Sequence, residues 1–260
     1  MLASIITPTF NTGHYLEGTI KCLLEQTHPA VEHIVVDGES TDNTVDLLRR
    51  YPSVRWISEP DNGMYDAINK GLQMANGEIV AYLNADDRYY RNTLEVVCRE
   101  FEQDPELDFL YGYCTYTTET EEPICTFRAL PFISPLTRNG RITFAQPACF
   151  WRRRIHDSVG FFDSEMKNVG DADFFRRLIA HNLNGKLIRQ PLATFMVRGD
   201  AVSYTLADNM SQEREAVHSR YGISRRDYRY MLNNVLYYAV NPDNYLRYLR
   251  YRLTHSRHES

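Results

Sequence analysis

Two adjoining stretches decide the reading, Glu59-Pro-Asp-Asn-Gly-Met-Tyr-Asp-Ala-Ile-Asn-Lys-Gly71 and Ile79-Val-Ala-Tyr-Leu-Asn-Ala-Asp-Asp87. In the second, an apolar run from Ile79 to Leu83 drives straight into Asn84, Asp86 and Asp87. Alternation and β-branched content predict a buried strand there, with the polar cluster starting where the strand ends. In an open α/β sheet, ligands sit beyond the carboxyl ends of the strands. Two adjacent carboxylates at such a place can hold a hard divalent cation, which commonly bridges to phosphate. Taken alone, the pair reads more simply as solvated loop acids.

The same pattern recurs upstream. Residues 4–7 read as a buried strand closed by Pro8-Thr-Phe-Asn11, and residues 14–26 as a helix with Leu16, Ile20, Leu23 and Leu24 on one face. Residues 32–36 form a second expected strand, ending at Asp37-Gly38, and Ser40-Thr-Asp42 supply capping side chains for a helix through Arg50. A third strand over 54–57 and a third helix over 64–74, closed by Asn76-Gly77, complete the half. Strands alternating with helices of this length imply parallel pairing with right-handed crossovers. Polar clusters at Pro8-Thr9-Asn11, Asp37, Glu59/Asp61 and Asn84/Asp86/Asp87 all fall at strand ends, so they are expected to share one crevice. Neither G-x-G-x-x-G nor a P-loop follows the first strand, which argues against a nicotinamide-binding fold. Beyond about residue 105 the pattern loosens. Aromatic segments over 107–116 and 143–151 read as strands, separated by a break at Pro131 to Pro135. Helical spacing returns over 171–181, a strand over 193–197, and helical signals from Asp208 onward.

At 260 residues, with 43% hydrophobic and 24% charged residues, the chain suits one large α/β domain or a domain with a small appendage. A net charge of -5 argues against nucleic acid as a partner. The five cysteines are scattered and lack a C-x-x-C pair, as fits reduced thiols in a cytoplasm better than a disulfide framework or a zinc site. No signal peptide opens the sequence, and no apolar run approaches the roughly 20 residues of a membrane span. A soluble cytoplasmic protein is the expectation. From Arg220 onward arginines dominate, and Tyr245, Leu246, Leu249 and Leu253 recur at helical spacing beside Arg247, Arg250 and Arg252. Such a basic amphipathic helix can lie peripherally on the inner face of the membrane, or pack against the domain.

In order along the chain, Ile5-Ile-Thr-Pro-Thr-Phe-Asn11, Val35-Val-Asp-Gly-Glu-Ser-Thr-Asp-Asn-Thr44, Glu59 to Gly71, Leu83-Asn-Ala-Asp-Asp87, Gly160-Phe-Phe-Asp163 and Gly170-Asp-Ala-Asp-Phe-Phe175 resemble the family 2 glycosyltransferases. These are inverting enzymes of the GT-A fold that use nucleotide-sugar donors. The resemblance covers roughly residues 3–200, and around Tyr65 to Gly71 it is nearest the branch that builds bacterial exopolysaccharide and lipopolysaccharide. It implies a Rossmann-like, mostly parallel central sheet flanked by helices. Residues 1–105 would bind the nucleotide sugar, 106–207 would bind acceptor and carry catalysis, and 208–260 would form a helical extension.

By the same resemblance, Pro8, Thr9 and Asn11 would lie along the nucleoside and Asp37 would accept from the base. Asp61 would lie near base or ribose, and Lys70 would face phosphate. Asp86 would ligate Mn²⁺ or Mg²⁺, beside Asp87. Asn84 stands where the family often has an acid, so its expected contact is ribose or a metal-bound water. Asp171 aligns with the catalytic base, Gly170 replacing the usual preceding acid, and Gln146 would border the acceptor. The plainer readings are a turn residue for Asp37, a solvated helix face for Lys70 and a helix N-terminal charge for Asp171. Asp173, two residues on, would point elsewhere, and His156 and His181 read as surface or packing residues. The implied partners are a nucleotide diphosphate sugar, with uridine diphosphate the commonest carrier, and a glycan or lipid-linked acceptor. A non-catalytic nucleotide-sugar-binding module has no use for a remote base. A nucleotidyltransferase would want a glycine-rich basic loop where Pro8-Thr-Phe-Asn11 stands.

Overall fold

The computed structural model describes residues 1–131, 142–198 and 207–242, together with residues 246, 247, 249 and 250. Pro135 and, in the tail, Tyr245, Arg252 and Leu253 lie outside the described residues. The first half follows β1 (Ala3–Thr9), α1 (Gly13–Leu24), β2 (Val31–Asp37), α2 (Thr44–Arg49), β3 (Arg55–Ser58), α3 (Met64–Met74) and β4 (Ile79–Tyr82). These four strands are parallel, in the order β3-β2-β1-β4. Both faces of this sheet are covered, which is why its strands read as nearly continuous apolar runs. Side chains alternate between the faces: Ile6, Val80 and Tyr82 enter one cluster with Ile68, Trp151 and Phe174, while Ile5, Ile79, Ala81 and Leu83 enter another with Leu94, Phe101 and Phe150. Each fully buried Ile or Leu contributes roughly 1.5–3 kcal/mol.

Strand β1 runs two residues past its expected end, through Pro8. Strand β4 stops pairing at Ile6, so Pro8 has no rung to lose on that side. Helix α3 lies close on β1 because residue 71 is glycine; a Cβ there would stand 2.4 Å from Ile6 Cγ2. Of the side chains expected to cap α2, Asp42 does so. Asn43 precedes the helix without a side-chain hydrogen bond, and Asp42 Oδ1 accepts from Thr44 N at 2.9 Å while its Oδ2 accepts from Gly13 N at 3.0 Å. One carboxylate thus ties the starts of α1 and α2 together.

The second half contributes β5 (Arg88–Tyr89), α4 (Thr93–Gln103), β6 (Phe109–Thr117), β7 (Pro123–Phe127), β8 (Cys149–Arg152), α5 (His156–Val159), α6 (Gly170–Ala180) and β9 (Gly185–Met196). The nine strands described form one sheet, β3-β2-β1-β4-β8-β6-β9-β5, with β7 on β6. Strand β8 enters antiparallel to both neighbours. The strand expected over 143–151 begins only at Cys149, because Gln146–Ala148 is a 3₁₀ turn with Pro147 inside it. Proline cannot donate to a sheet ladder, and the turn leaves Gln146 short of the strand.

Helices α7 (Ala207–Arg220) and α8 (Tyr228–Val240) close the structure. Glu213 of α7 accepts from the backbone N–H groups of Lys167, Asn168 and Val169, and Asp173 of α6 accepts from Arg220 and Tyr221. The end of α8 is held by Asn241, which exchanges hydrogen bonds with the backbone of Arg128. Among the described residues, no helix is long and apolar enough to cross a membrane.

Candidate active site

A cleft of about 960 Å³ opens at the carboxyl ends of β1 and β4 and runs under α6 and α7. Pro8, Thr9, Asp61, Asn84, Asp86, Gln146 and Asp171 all line it. Asp86 follows β4 and Asp171 stands one residue into α6, 85 positions later, yet they face one cavity.

Asp86 is partly buried, its side chain 18% exposed, and pairs with Arg198 at 3.0 Å. Arg198, just beyond β9, also stacks 4.6 Å above the Tyr15 ring. Beside this pair, Asn84 Oδ1 is buried without a hydrogen-bond partner while its Nδ2 donates to Asp87 at 3.4 Å. Asp86 and Asn84 are hard oxygen donors in the cleft lining, and Asn84 Oδ1 holds a lone pair without a partner. That donor set fits a hard divalent cation completed by phosphate oxygens and water. Among the described residues no cluster of three or more acids, histidines or cysteines exists to hold a metal by protein groups alone.

Asp171 is half-buried. Its Oδ1 accepts from Ala172 N at 2.8 Å and from the Tyr65 hydroxyl at 3.3 Å. Burial raises its carboxyl above the ordinary range, opposed by those hydrogen bonds and by the charge of Arg214. A raised carboxylate is a better proton acceptor near neutral pH. Tyr65 itself is 1% exposed and stacks on Phe162 with centroids 5.7 Å apart, so the group that orients Asp171 is fixed in the core. Asp173 points away, into ion pairs with Arg177 and Arg220. Gln146 donates from Nε2 to the Tyr82 carbonyl at 2.7 Å, which fastens that wall of the cleft to β4. His156 is a core residue: Trp151 Nε1 donates to its Nε2 at 2.9 Å.

Four of the residues singled out from the sequence do not line the cleft. Asp37 is fully buried, and its two oxygens accept from Ser40 Oγ at 2.5 Å, Ser40 N at 3.1 Å and Ser58 Oγ at 2.6 Å. Asn11 takes a left-handed φ of 52°, which asparagine tolerates better than most residues, and its Oδ1 accepts from Thr41 N at 2.8 Å. Asn11 thus knits the β1 and β2 end loops together, and Asp37 ties the β2 end loop to β3. Asp87 accepts from Met196 N at 3.1 Å, tying the end of β4 to the end of β9. Burial and the neighbouring Asp86 charge push its carboxyl well above the usual range. Lys70 pairs with Glu59 at 2.9 Å and donates to the Pro60 carbonyl at 2.8 Å, so its ammonium braces the loop before α3 and does not face the cleft. Asp61 stays in the lining with Oδ1 on Gly63 N at 2.8 Å.

Sequence reasoning missed Tyr65, Lys167, Arg198, Arg214 and Arg225, all of which line the cleft. Tyr65 lay inside the quoted motif; the three arginines carried no motif, because elements far along the chain deliver them.

With this geometry, residues 4–160, more than half of the chain, match the family described as Glycosyl transferase family 2. The chain belongs to that family. Relatives include the putative teichuronic acid biosynthesis glycosyltransferase TuaG of Bacillus subtilis, 39% identical over 99 residues, which are 36% of this chain and 39% of TuaG. Chondroitin synthase of Pasteurella multocida is 28% identical over 186 residues, 68% of this chain but 19% of that protein. The chain therefore spans well under half the length of either. A PGL/p-HBAD biosynthesis glycosyltransferase of Mycobacterium bovis aligns more evenly, 27% identical with 85% of this chain and 86% of the relative covered. Among solved structures, S. aureus TarS 1-349 in complex with UDP-GlcNAc superposes with a TM-score of 0.64 at 19% identity, covering 84% of this chain and 66% of that one. The mannosyltransferase PcManGT of Pyrobaculum calidifontis, in complex with GDP-Man and Mn²⁺, gives 0.63 at 17% identity, covering 99% and 76%. At such identities the likeness shows the fold, and the expected α/β GT-A architecture is the one observed.

Proposed function

We propose that this chain is an inverting glycosyltransferase. It moves a sugar from a nucleotide diphosphate, with uridine diphosphate as the carrier, to a hydroxyl of a glycan or lipid-linked acceptor in cell-surface polysaccharide biosynthesis. The observation that carries the reading is the convergence of Asp86 and Asp171, from distant parts of the chain, on one cleft. The biosynthetic names of the relatives and the nucleotide sugars bound in TarS and PcManGT support it. It works in the cytoplasm, with the basic C-terminal segment either packed against the domain or set as a peripheral contact on the inner face of the membrane.

Pro8, Thr9 and Asp61 hold the nucleoside, and Asn11 and Asp37 set the loops on which they stand. Asp86 and Asn84 would hold Mn²⁺ or Mg²⁺, which when bound supplies positive charge opposite the diphosphate. Asp87 fixes that turn against β9. On the other side, Gln146 borders the acceptor and Asp171 receives the proton of the attacking hydroxyl. The new C–O bond forms as the bond to the diphosphate breaks, the electron pair leaving with the phosphate oxygen. Attack opposite the leaving group inverts the anomeric centre. No covalent enzyme intermediate is needed, so one base suffices.

Thermal stabilisation against a panel of nucleotide sugars, with and without Mn²⁺, identifies the donor by mass action. With that donor, Asp171→Asn should abolish transfer while donor binding persists. Unchanged turnover would remove Asp171 from its role, and no stabilisation by any nucleotide would remove the donor site.

A further inference from the structure

Beyond the acids of the reaction, the cleft carries a concentration of positive charge on the side of α6 and α7. Arg214 and His218 are four residues apart on α7 and so share one face of the helix, Arg225 follows in the next loop, and Lys167 stands just before α6; all four line the cleft. Behind them Arg176 of α6 is 3% exposed, and burial pushes its guanidinium down to about 10. Burial, and then the charges of Arg176, Arg225 and Arg214 with Glu215 opposing them, hold the His218 imidazole below its ordinary value. The positive charge on this wall is that of Arg214, Arg225 and Lys167, whose ammonium also donates to the Asn62 carbonyl, and His218 stands among them as a neutral ring.

The place of the cluster assigns its ligand. Arg214 also acts on the Asp171 carboxyl, so this cation lies within electrostatic reach of the base. Asp86, on the donor side, has its own partner in Arg198. We infer that Arg214, His218, Arg225 and Lys167 form an acceptor subsite for an oxyanion, a phosphate or carboxylate carried close to the hydroxyl that is glycosylated. This rests on the transferase reading and narrows its acceptor to an anionic one. Guanidinium forks suit both oxyanions, since each presents two coplanar or near-coplanar oxygens.

The test uses the full chain with UDP at saturation, so that the donor side is filled. Phenyl phosphate, methyl β-glucuronide and the neutral methyl β-glucoside are titrated separately, following stabilisation against heat. Binding of one or both anions is expected, weakening with added salt, without stabilisation by the glucoside. The anion that binds distinguishes a phosphate-linked from a uronic acceptor. Arg225→Gln and Arg214→Gln should each weaken that binding at least tenfold, and UDP binding should be retained in both. Equal binding of the glucoside, displacement of the anion by UDP, undiminished anion binding in both variants, or no anion binding at all would each overturn the subsite. Loss of UDP binding by the parent chain would instead indict the donor reading, so the two failures are separable.

Discussion

Gly170, which opens α6 just before Asp171, has a steric cause that Gly170→Ala can expose. An added Cβ would stand 2.8 Å from two ring carbons of Tyr65 and 2.9 Å from a third. Retreat of the ring towards the core is blocked, because Tyr65 is 1% exposed and packed on Phe162. Overpacking of this kind costs about 1–3 kcal/mol. Removing a glycine from a helix interior returns about 1 kcal/mol, but residue 170 opens α6, where the return is smaller. The balance is a loss of about 1–2 kcal/mol, which for a chain of this size lowers Tm by roughly 2–8 °C. Transfer should fall as well, because the displaced ring carries the hydroxyl that orients Asp171. Urea unfolding and transfer rates measured on Gly170→Ala, Tyr65→Ala and the double variant isolate the contact. The alanine at 170 should cost clearly less once the ring is gone. A Gly170→Ala protein as stable and as active as the parent would refute the account.

Other outcomes follow from the same geometry. Asp171 must be ionised to accept a proton, and its carboxyl titrates above the ordinary range, so transfer should fade on acidification at a higher pH than a solvated aspartate would give; a pH–rate profile checks this. His33 is 6% exposed and burial holds its imidazole down from 6.5 to about 3, so the native protein binds fewer protons than the unfolded chain between those values. Stability should therefore decline as pH falls through that window, and His33→Gln should flatten the decline in urea titrations. Asp87→Ala orphans the Met196 N–H and should cost about 1–3 kcal/mol, read by the urea midpoint.

The alternating half of the fold was legible because its signals are local. Ile79 to Leu83 had to be buried on both faces, and Met64 to Met74 keeps helical spacing over its whole length. That polar clusters at strand ends share a crevice follows from parallel topology, so Asp61 and Asp86 could be placed beside Thr9 without coordinates. Asp171 came from resemblance, since nothing in its spacing connects it to Asp86. The insertion of β8 between β4 and β6 was not legible: antiparallel entry depends on pairing partners 70 residues apart, Val80 with Trp151 among them.

Which of the strand-end acids face the cleft was decided only by tertiary contacts. Asp86 and Asp87 are neighbours with the same chemistry, yet one meets the cleft and the other caps the backbone of β9. Asp37 and Lys70 satisfy themselves with Ser58 and Glu59, groups that local pattern could not rank against a nucleotide. The cationic wall of Arg214 and Arg225 exists because Glu213 fastens α7 to the chain just before α6. Sequence thus determined the alternation of strands and helices in the first half and the end of the sheet where chemistry collects, both consequences of periodicity and parallel pairing. Side-chain direction there depends on short contacts between remote elements, and those form only when the chain is packed.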